Sequence, residues 1–428
     1  MERPVSVFLM ATLMALSPNA GTSQEDGSPI VLGVYRTLHS EILGEDRILQ
    51  VSLPRGYEES DLGYPVIYLF YSDWVEGYFA QAVNDLYHLG LDRMPPSILV
   101  GVRNTQRYRD LLPWAQSPDR CEEGHADRFL RFLKEEMIPF VEAEFRTKPF
   151  RIMVGPQAAA VFGAYALLES PETFRAFILN DPCRIDSEER SLCREVLEFA
   201  ATPAARGIYF AVSHDAQDNR WDDRFLEELR SGLENRPQGG LRWRMELTED
   251  WPFLLAPMEI RASLMELFDD YPYPGLDSAG GLGDVRNHYD SLSRQYGFIV
   301  DPPNLVLSQV SDQLVARGEP EAALEVLHHL VELHPYSLDG PWRLANLHRV
   351  MGDTATALRY YRECLERDPN MTPARQWVER LGGGGGSRSN LGCGERTLGG
   401  YGSRGASTAP GRISQERGAP IPPSDHSP

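Results

Sequence analysis

The stretch from Arg151 to about Leu168 joins a short apolar run, Ile152-Met153-Val154, to a cluster of small residues, Gly155, Ala158, Ala159 and Ala160, and then to a helical pattern. Small residues two positions either side of one side chain let a strand turn sharply into a helix. Such an elbow lifts a nucleophile clear of the sheet beneath it. Here the apex residue is Gln157. A carboxamide has no ionisable oxygen and cannot form an acyl intermediate. The stretch therefore keeps the outline of nucleophilic catalysis without the nucleophile. We expect a strand, a tight turn, and a helix starting at Ala160.

Other groups able to do chemistry follow. His214-Asp215 is an acid–base pair with Asp218 close behind, in what reads as a loop after the apolar run Gly207–Val212. His125 precedes a helical stretch, and Cys183 ends the phrase Asn180-Asp181-Pro182-Cys183. A loop histidine here is expected to be exposed, and Asp215 and Asp218 to be solvated. Cys183 has no evident histidine partner to make it a thiolate. Five cysteines are too few for a disulfide framework in 428 residues, although Cys183 and Cys193 could pair in an oxidising compartment. Neither C-x-x-C nor H-E-x-x-H occurs, so no metal site is read, and no cofactor is expected.

The elements that must position these groups alternate in type. Two β-prone runs between Ile30 and Leu53 flank Gly44-Glu45-Asp46 as a hairpin would. Val66–Phe70, Ser97–Val102, Arg175–Leu179, Gly207–Val212 and Leu241–Leu247 are short apolar runs, as strands buried on both faces require. Helical stretches separate them, around 78–90 and over 126–145, where Phe129, Phe132, Leu133, Met137, Phe140 and Val141 keep helical spacing. The pattern predicts an α/β domain over 30–270, with a mostly parallel sheet and helices on both faces. A connecting segment, 271–303, follows.

From Asn304 the chain repeats itself. Gly318 and Gly352, Ala323 and Ala357, Leu324 and Leu358, and Pro335 and Pro369 are each 34 residues apart. That is the tetratricopeptide period. Residues 304–381 are expected to form a small all-α domain: two such repeats, packed through Val310, Leu314, Leu344 and Leu347, capped by a helix near Pro373–Leu381 and docked on the α/β domain. Ser311 and Ala345 stand where these repeats favour glycine. Residues 382–428, rich in Gly, Ser, Arg and Pro, read as a disordered tail.

The order of segments over 30–270 resembles the esterase branch of the α/β-hydrolases that includes siderophore (enterobactin-type) esterases. The phrases that carry the resemblance are Tyr64-Pro65-Val66-Ile67-Tyr68-Leu69, Asn104 with Arg107-Tyr108-Arg109-Asp110-Leu111-Leu112-Pro113, and the helix Phe132–Val141 before the elbow strand. The resemblance implies a serine at position 157, where this chain has glutamine. It implies a histidine in the phrase Thr248–Phe253, where Trp251 stands and can neither accept nor relay a proton. No histidine lies between His214 and His288. Asp215 or Asp218 would be the acid. The oxyanion hole would use the amide of Ala158 with a donor at Tyr71 or Ser72, beside the bulky, anionic phrase Asp73-Trp74. A carboxylate there opposes a developing oxyanion.

Composition bounds the partners. With 42% apolar and 24% charged residues the chain is an ordinary globular protein, and a net charge of −20 argues against nucleic acid. Residues 1–20 resemble a signal peptide, with Arg3, an apolar run Val5–Leu16 and Ala20 at a cleavable position, so a secreted or periplasmic location is expected. No later run is long enough for a membrane span. The expected function is that of an exported, non-catalytic esterase-like protein. Its cleft would take an ester-like small molecule and its repeats a protein partner. The alternative is an active carboxylic-ester hydrolase with a rearranged site, using His214 or Cys183.

Overall fold

A computed structural model of the chain describes residues 31–382, apart from 73–75, 105, 115–123, 183–190, 216–223, 236–239, 249–251 and 277–279. The first β-prone runs form a hairpin, β1 (Val34–Ser40) and β2 (Glu45–Ser52), turning at Gly44 with φ +72°. Six further strands follow: β3 (Tyr64–Ser72), β4 (Ile98–Asn104), β5 (Thr147–Pro156), β6 (Ala176–Asn180), β7 (Tyr209–Asp215) and β8 (Arg242–Thr248). They make one sheet in the order β1-β2-β4-β3-β5-β6-β7-β8, antiparallel where β2 meets β1 and β4 and parallel elsewhere.

Strand alternation divides the core. Along β3, Val66, Tyr68 and Phe70 point to one face and Ile67 and Leu69 to the other. The first face is covered by α3 (Ala126–Phe132), α4 (Ile138–Glu144), α5 (Ala158–Glu169), α6 (Leu192–Phe199) and α7 (Arg224–Glu234). Its centre is an aromatic cluster of Phe70, Phe129 and Phe162, with rings 5.3–6.2 Å apart. The predicted helix over 126–145 is not uniform: a π-helical turn, Leu133–Met137, joins α3 to α4. Pro139 has no N–H to return to the preceding turn, and the ladder widens immediately before it.

The second face carries α1 (Glu76–Leu89), α8 (Pro252–Leu267) and α9 (Leu282–Tyr296). The segment expected to be a mere connection thus supplies a core helix, through Val285, Tyr289, Leu292 and Tyr296. Five more helices continue the same core: α10 (Asn304–Ala316), α11 (Pro320–Leu333), α12 (Asp339–Val350), α13 (Thr354–Arg367) and α14 (Thr372–Gly382). The hairpins α10–α11 and α12–α13 turn at Gly318 (φ +79°) and Gly352 (φ +85°), a backbone angle that glycine adopts without strain. Ala323 and Ala357 are fully buried where the paired helices approach. Tyr336, between α11 and α12, lies against the backbone of Gly56 in the turn after β2, and ahead of these helices Phe268, Tyr296 and Phe298 meet Phe150 of β5 at 5.4–5.8 Å.

Candidate active-site elbow

The C-terminal ends of the parallel strands form the edge where a doubly wound sheet places its ligand site. At its centre, β5 ends at Pro156 and α5 begins at Ala158, two residues earlier than expected. Gln157 between them has φ 54° and ψ −116°. Only one other described non-glycine residue, Asp181, has positive φ. Such a conformation costs about 1–3 kcal/mol and persists only where neighbours impose it. Here the Gln157 N–H donates to Asn180 O (2.8 Å), while its carbonyl accepts from Ala160 N (3.0 Å) and Val161 N (3.3 Å). Gly155 makes the turn sterically feasible: a Cβ there would lie 2.6 Å from the Ala159 carbonyl oxygen. The carboxamide of Gln157 is half-buried and makes no hydrogen bond to another described residue.

Register sets the neighbours. Pro156 pairs with Asn180, and Asn180 with Ser213, so Gln157, Asp181 and His214 follow one another across three adjacent strand ends. His214 Nδ1 stands 2.9 Å from Asp181 Oδ1, and both residues are buried. Asn180 Nδ2 donates to Ser213 Oγ (2.7 Å), and Asp181 N to Ser213 O (2.7 Å). Asn180 Oδ1 is buried without a partner among the described residues.

This geometry corrects three expectations. His214 is no exposed loop residue: it sits in β7 with 1% of its surface exposed, facing a carboxylate. Sequence reading passed over that carboxylate, although Asn-Asp-Pro directly after an apolar run is a turn signal that could have marked it. Asp215 likewise closes β7, paired with Thr248, and is not part of the loop beyond. On the other side, Tyr71 and Ser72 complete β3 where a loop was expected. Leu69 is level with Val154, so Tyr71 and Ser72 come level with the elbow across the β3–β5 pair. Ala158 is the first residue of α5, and its amide has no intrahelical acceptor. Asp218, Trp251, Cys183, Asp73 and Trp74 lie outside the described residues, as do 1–20 and the tail beyond Gly382.

His125 caps no helix with its side chain; its N–H donates to Arg109 O (2.6 Å) in the short helix α2 (Arg107–Leu111). That helix carries the Arg109-Asp110 phrase, for which the sequence suggested no role. The structure gives it one. Arg47, 2% exposed, sets Nη2 2.6 Å from Asp110 Oδ2 and 2.5 Å from Glu45 Oε1. Arg109 bridges the same two carboxylates at 2.7 and 2.8 Å. Burial raises the Glu45 carboxyl, but the Arg109 hydrogen bond and the two guanidinium charges outweigh it, and its pKa is lowered. The Arg47 guanidinium also lies over the rings of Phe129 and Phe132. The network ties the hairpin to the helices beneath the elbow. Among the described residues no group of three His, Cys, Asp or Glu is placed to hold a metal ion.

Comparison with known proteins agrees with this architecture. Residues 40–231 match the model of the family described as Putative esterase. A curated relative, the ferri-bacillibactin esterase BesA of Bacillus subtilis, is 30% identical over 143 residues, covering 28% of this chain. The matched part spans about half, 48%, of that relative's length. Among solved structures, an IroE-like serine hydrolase from Shewanella oneidensis superposes with a TM-score of 0.57 at 23% identity, over 70% of this chain and 99% of its own. An uncharacterised protein from Capnocytophaga ochracea gives a TM-score of 0.54 at 16% identity, over 82% of this chain and 99% of its own. That coverage exceeds what the sheet-bearing region alone supplies. The strand order and the elbow backbone lie within or beside the segment 40–231 that matches the Putative esterase model, and the likeness to the solved structures extends to the fold as a whole.

Proposed function

We propose that the protein is an exported esterase-fold binding protein that has lost serine-hydrolase chemistry. The observation that carries this reading is Gln157: the strained elbow backbone is kept, while the side chain it presents cannot attack a carbonyl. The best-placed described imidazole, His214, is buried against Asp181 and gives no solvent-accessible base beside the elbow. The carboxamide of Gln157, unengaged by described residues, is suited to hydrogen-bond a ligand carbonyl or hydroxyl. The ligand class is an ester-bearing small molecule of the siderophore kind, by analogy with the curated relative. The hairpins α10–α11 and α12–α13 act as tetratricopeptide repeats that engage a protein partner.

The test pairs a serine-reactive fluorophosphonate with p-nitrophenyl acetate hydrolysis. We expect no labelling and no rate above buffer. A rate that vanishes in His214→Ala or Cys183→Ala would instead establish a rearranged hydrolase. Gln157→Ser with Trp251→His is the complementary variant, and gain of hydrolysis would mark the remaining site as intact.

A further inference from the structure

On α12, two arginines a turn and a half apart are treated differently. Arg343 is neutralised by Asp312 and Asp339. Among the described residues Arg349 has only neutral partners: Nε donates to the Tyr361 hydroxyl (3.2 Å), Nη2 reaches Asn346 Oδ1 (3.5 Å), and the guanidinium carbon lies 4.2 Å from the Trp377 ring centre. Those partners are themselves fixed. Tyr361 OH donates to Asn346 Oδ1 (2.9 Å), and Asn346 Nδ2 donates to Trp342 O (2.9 Å). Tyr361 stacks on Trp377 (6.1 Å, 10°) and meets Trp342 edge-on (5.5 Å). Arg380, exposed on α14, lies over the same Trp377 ring at 5.3 Å. Three helices thus hold one half-buried cation in place, beside two half-buried indoles, without supplying a carboxylate.

We propose that this face of α12, α13 and α14 docks an acidic peptide segment of another protein. The proposal rests on reading the helical region as an interaction module and names the chemistry of its partner. Arg349 is the carboxylate anchor: a guanidinium presents a planar fork that matches a carboxylate, and its ordering is already met by the fold. Trp342 and Trp377 provide rigid apolar walls for the residue beside that carboxylate, as aromatic and arginine side chains do at interface hot spots. A chain of net charge −20 repels a polyanion at long range. A short segment with one or two carboxylates flanked by apolar residues fits better than nucleic acid.

The experiment uses the full chain and two fluorescein-labelled peptides, identical except that Asp and Glu in one are Asn and Gln in the other, each with a central leucine. Fluorescence anisotropy should show saturable binding of the acidic peptide and about tenfold or greater weakening for its neutral twin. Arg349→Gln should weaken the acidic peptide by about the same factor, leave the twin unchanged, and be partly rescued by Arg349→Lys. Should Arg349→Gln impair folding, the exposed Arg380→Gln must weaken the acidic peptide alone, by a smaller factor. Equal affinity for the twins, or insensitivity to both substitutions, overturns the proposal and leaves the interaction reading intact. Binding of neither peptide overturns both. Concentration-dependent self-association abolished by Arg349→Gln would assign the face to a second copy and also overturn it.

Discussion

Replacing Gln157 by glycine should stabilise the protein, whereas replacing it by alanine should not. The elbow backbone, φ 54° and ψ −116°, lies where a side chain is strained and glycine is not. Relief of that strain contributes about 1–3 kcal/mol. Glycine loses more freedom on folding, which offsets about 0.5–1 kcal/mol. The balance is a gain of roughly 0.5–2 kcal/mol for Gln157→Gly. Alanine keeps the Cβ and with it the strain. The lost carboxamide makes no hydrogen bond to a described residue, so Gln157→Ala should fall within about 0.5 kcal/mol of the parent. Urea unfolding followed by tryptophan fluorescence gives the ranking, provided the slopes agree among the three proteins. A glycine variant no more stable than the alanine variant would refute the strain argument. The same variants, unable to supply a nucleophile, should leave hydrolysis at its parental level.

Three further outcomes follow from the described geometry. Asp110→Ala removes the buried one of the two carboxylates on Arg47 and leaves Glu45 as its counter-charge. It should therefore cost less than the about 3–5 kcal/mol of a fully stranded buried charge, about 2–3 kcal/mol by urea unfolding, while replacing the distant, exposed Glu135 by alanine should be nearly silent. His334 is held below its ordinary pKa, mainly by burial and against the pull of the Pro302 carbonyl it contacts. Its stabilising contribution is therefore complete above about pH 6.5 and declines as the pH falls below that; His334→Gln should flatten this part of the stability–pH curve. The Cys364 thiol, pushed up to about 12 chiefly by burial, should resist Ellman's reagent in the native protein and react on unfolding in urea.

The sheet was legible because its strands are short apolar runs. Val66–Phe70 lies inside β3, Gly207–Val212 runs two residues ahead of β7 and into it, and the 34-residue spacing located both hairpin turns. Errors fell where tertiary contact outweighs local pattern. His214 and Asp215 are polar residues at the end of an apolar run, which reads as an exit to a loop; pairing with β8 extends the strand through them. The burial of His214 depends on Asp181, more than thirty residues away in sequence and adjacent only across the sheet. The polar phrase Arg109-Asp110 gave no sign of burial, since Arg47 and Glu45 reach it from the hairpin. The elbow was readable because its requirement is local: small residues around one apex.

The aromatic contact between Phe150 of β5 and Tyr296 and Phe298 beyond the sheet bears on how the molecule comes apart. The strand that ends in the elbow is rooted in side chains contributed after residue 290, so the helices are no detachable appendage. Heat or urea should dismantle sheet and helices in a single transition, with one calorimetric peak, and a protein truncated after residue 270 should bare the apolar second face of the sheet and aggregate.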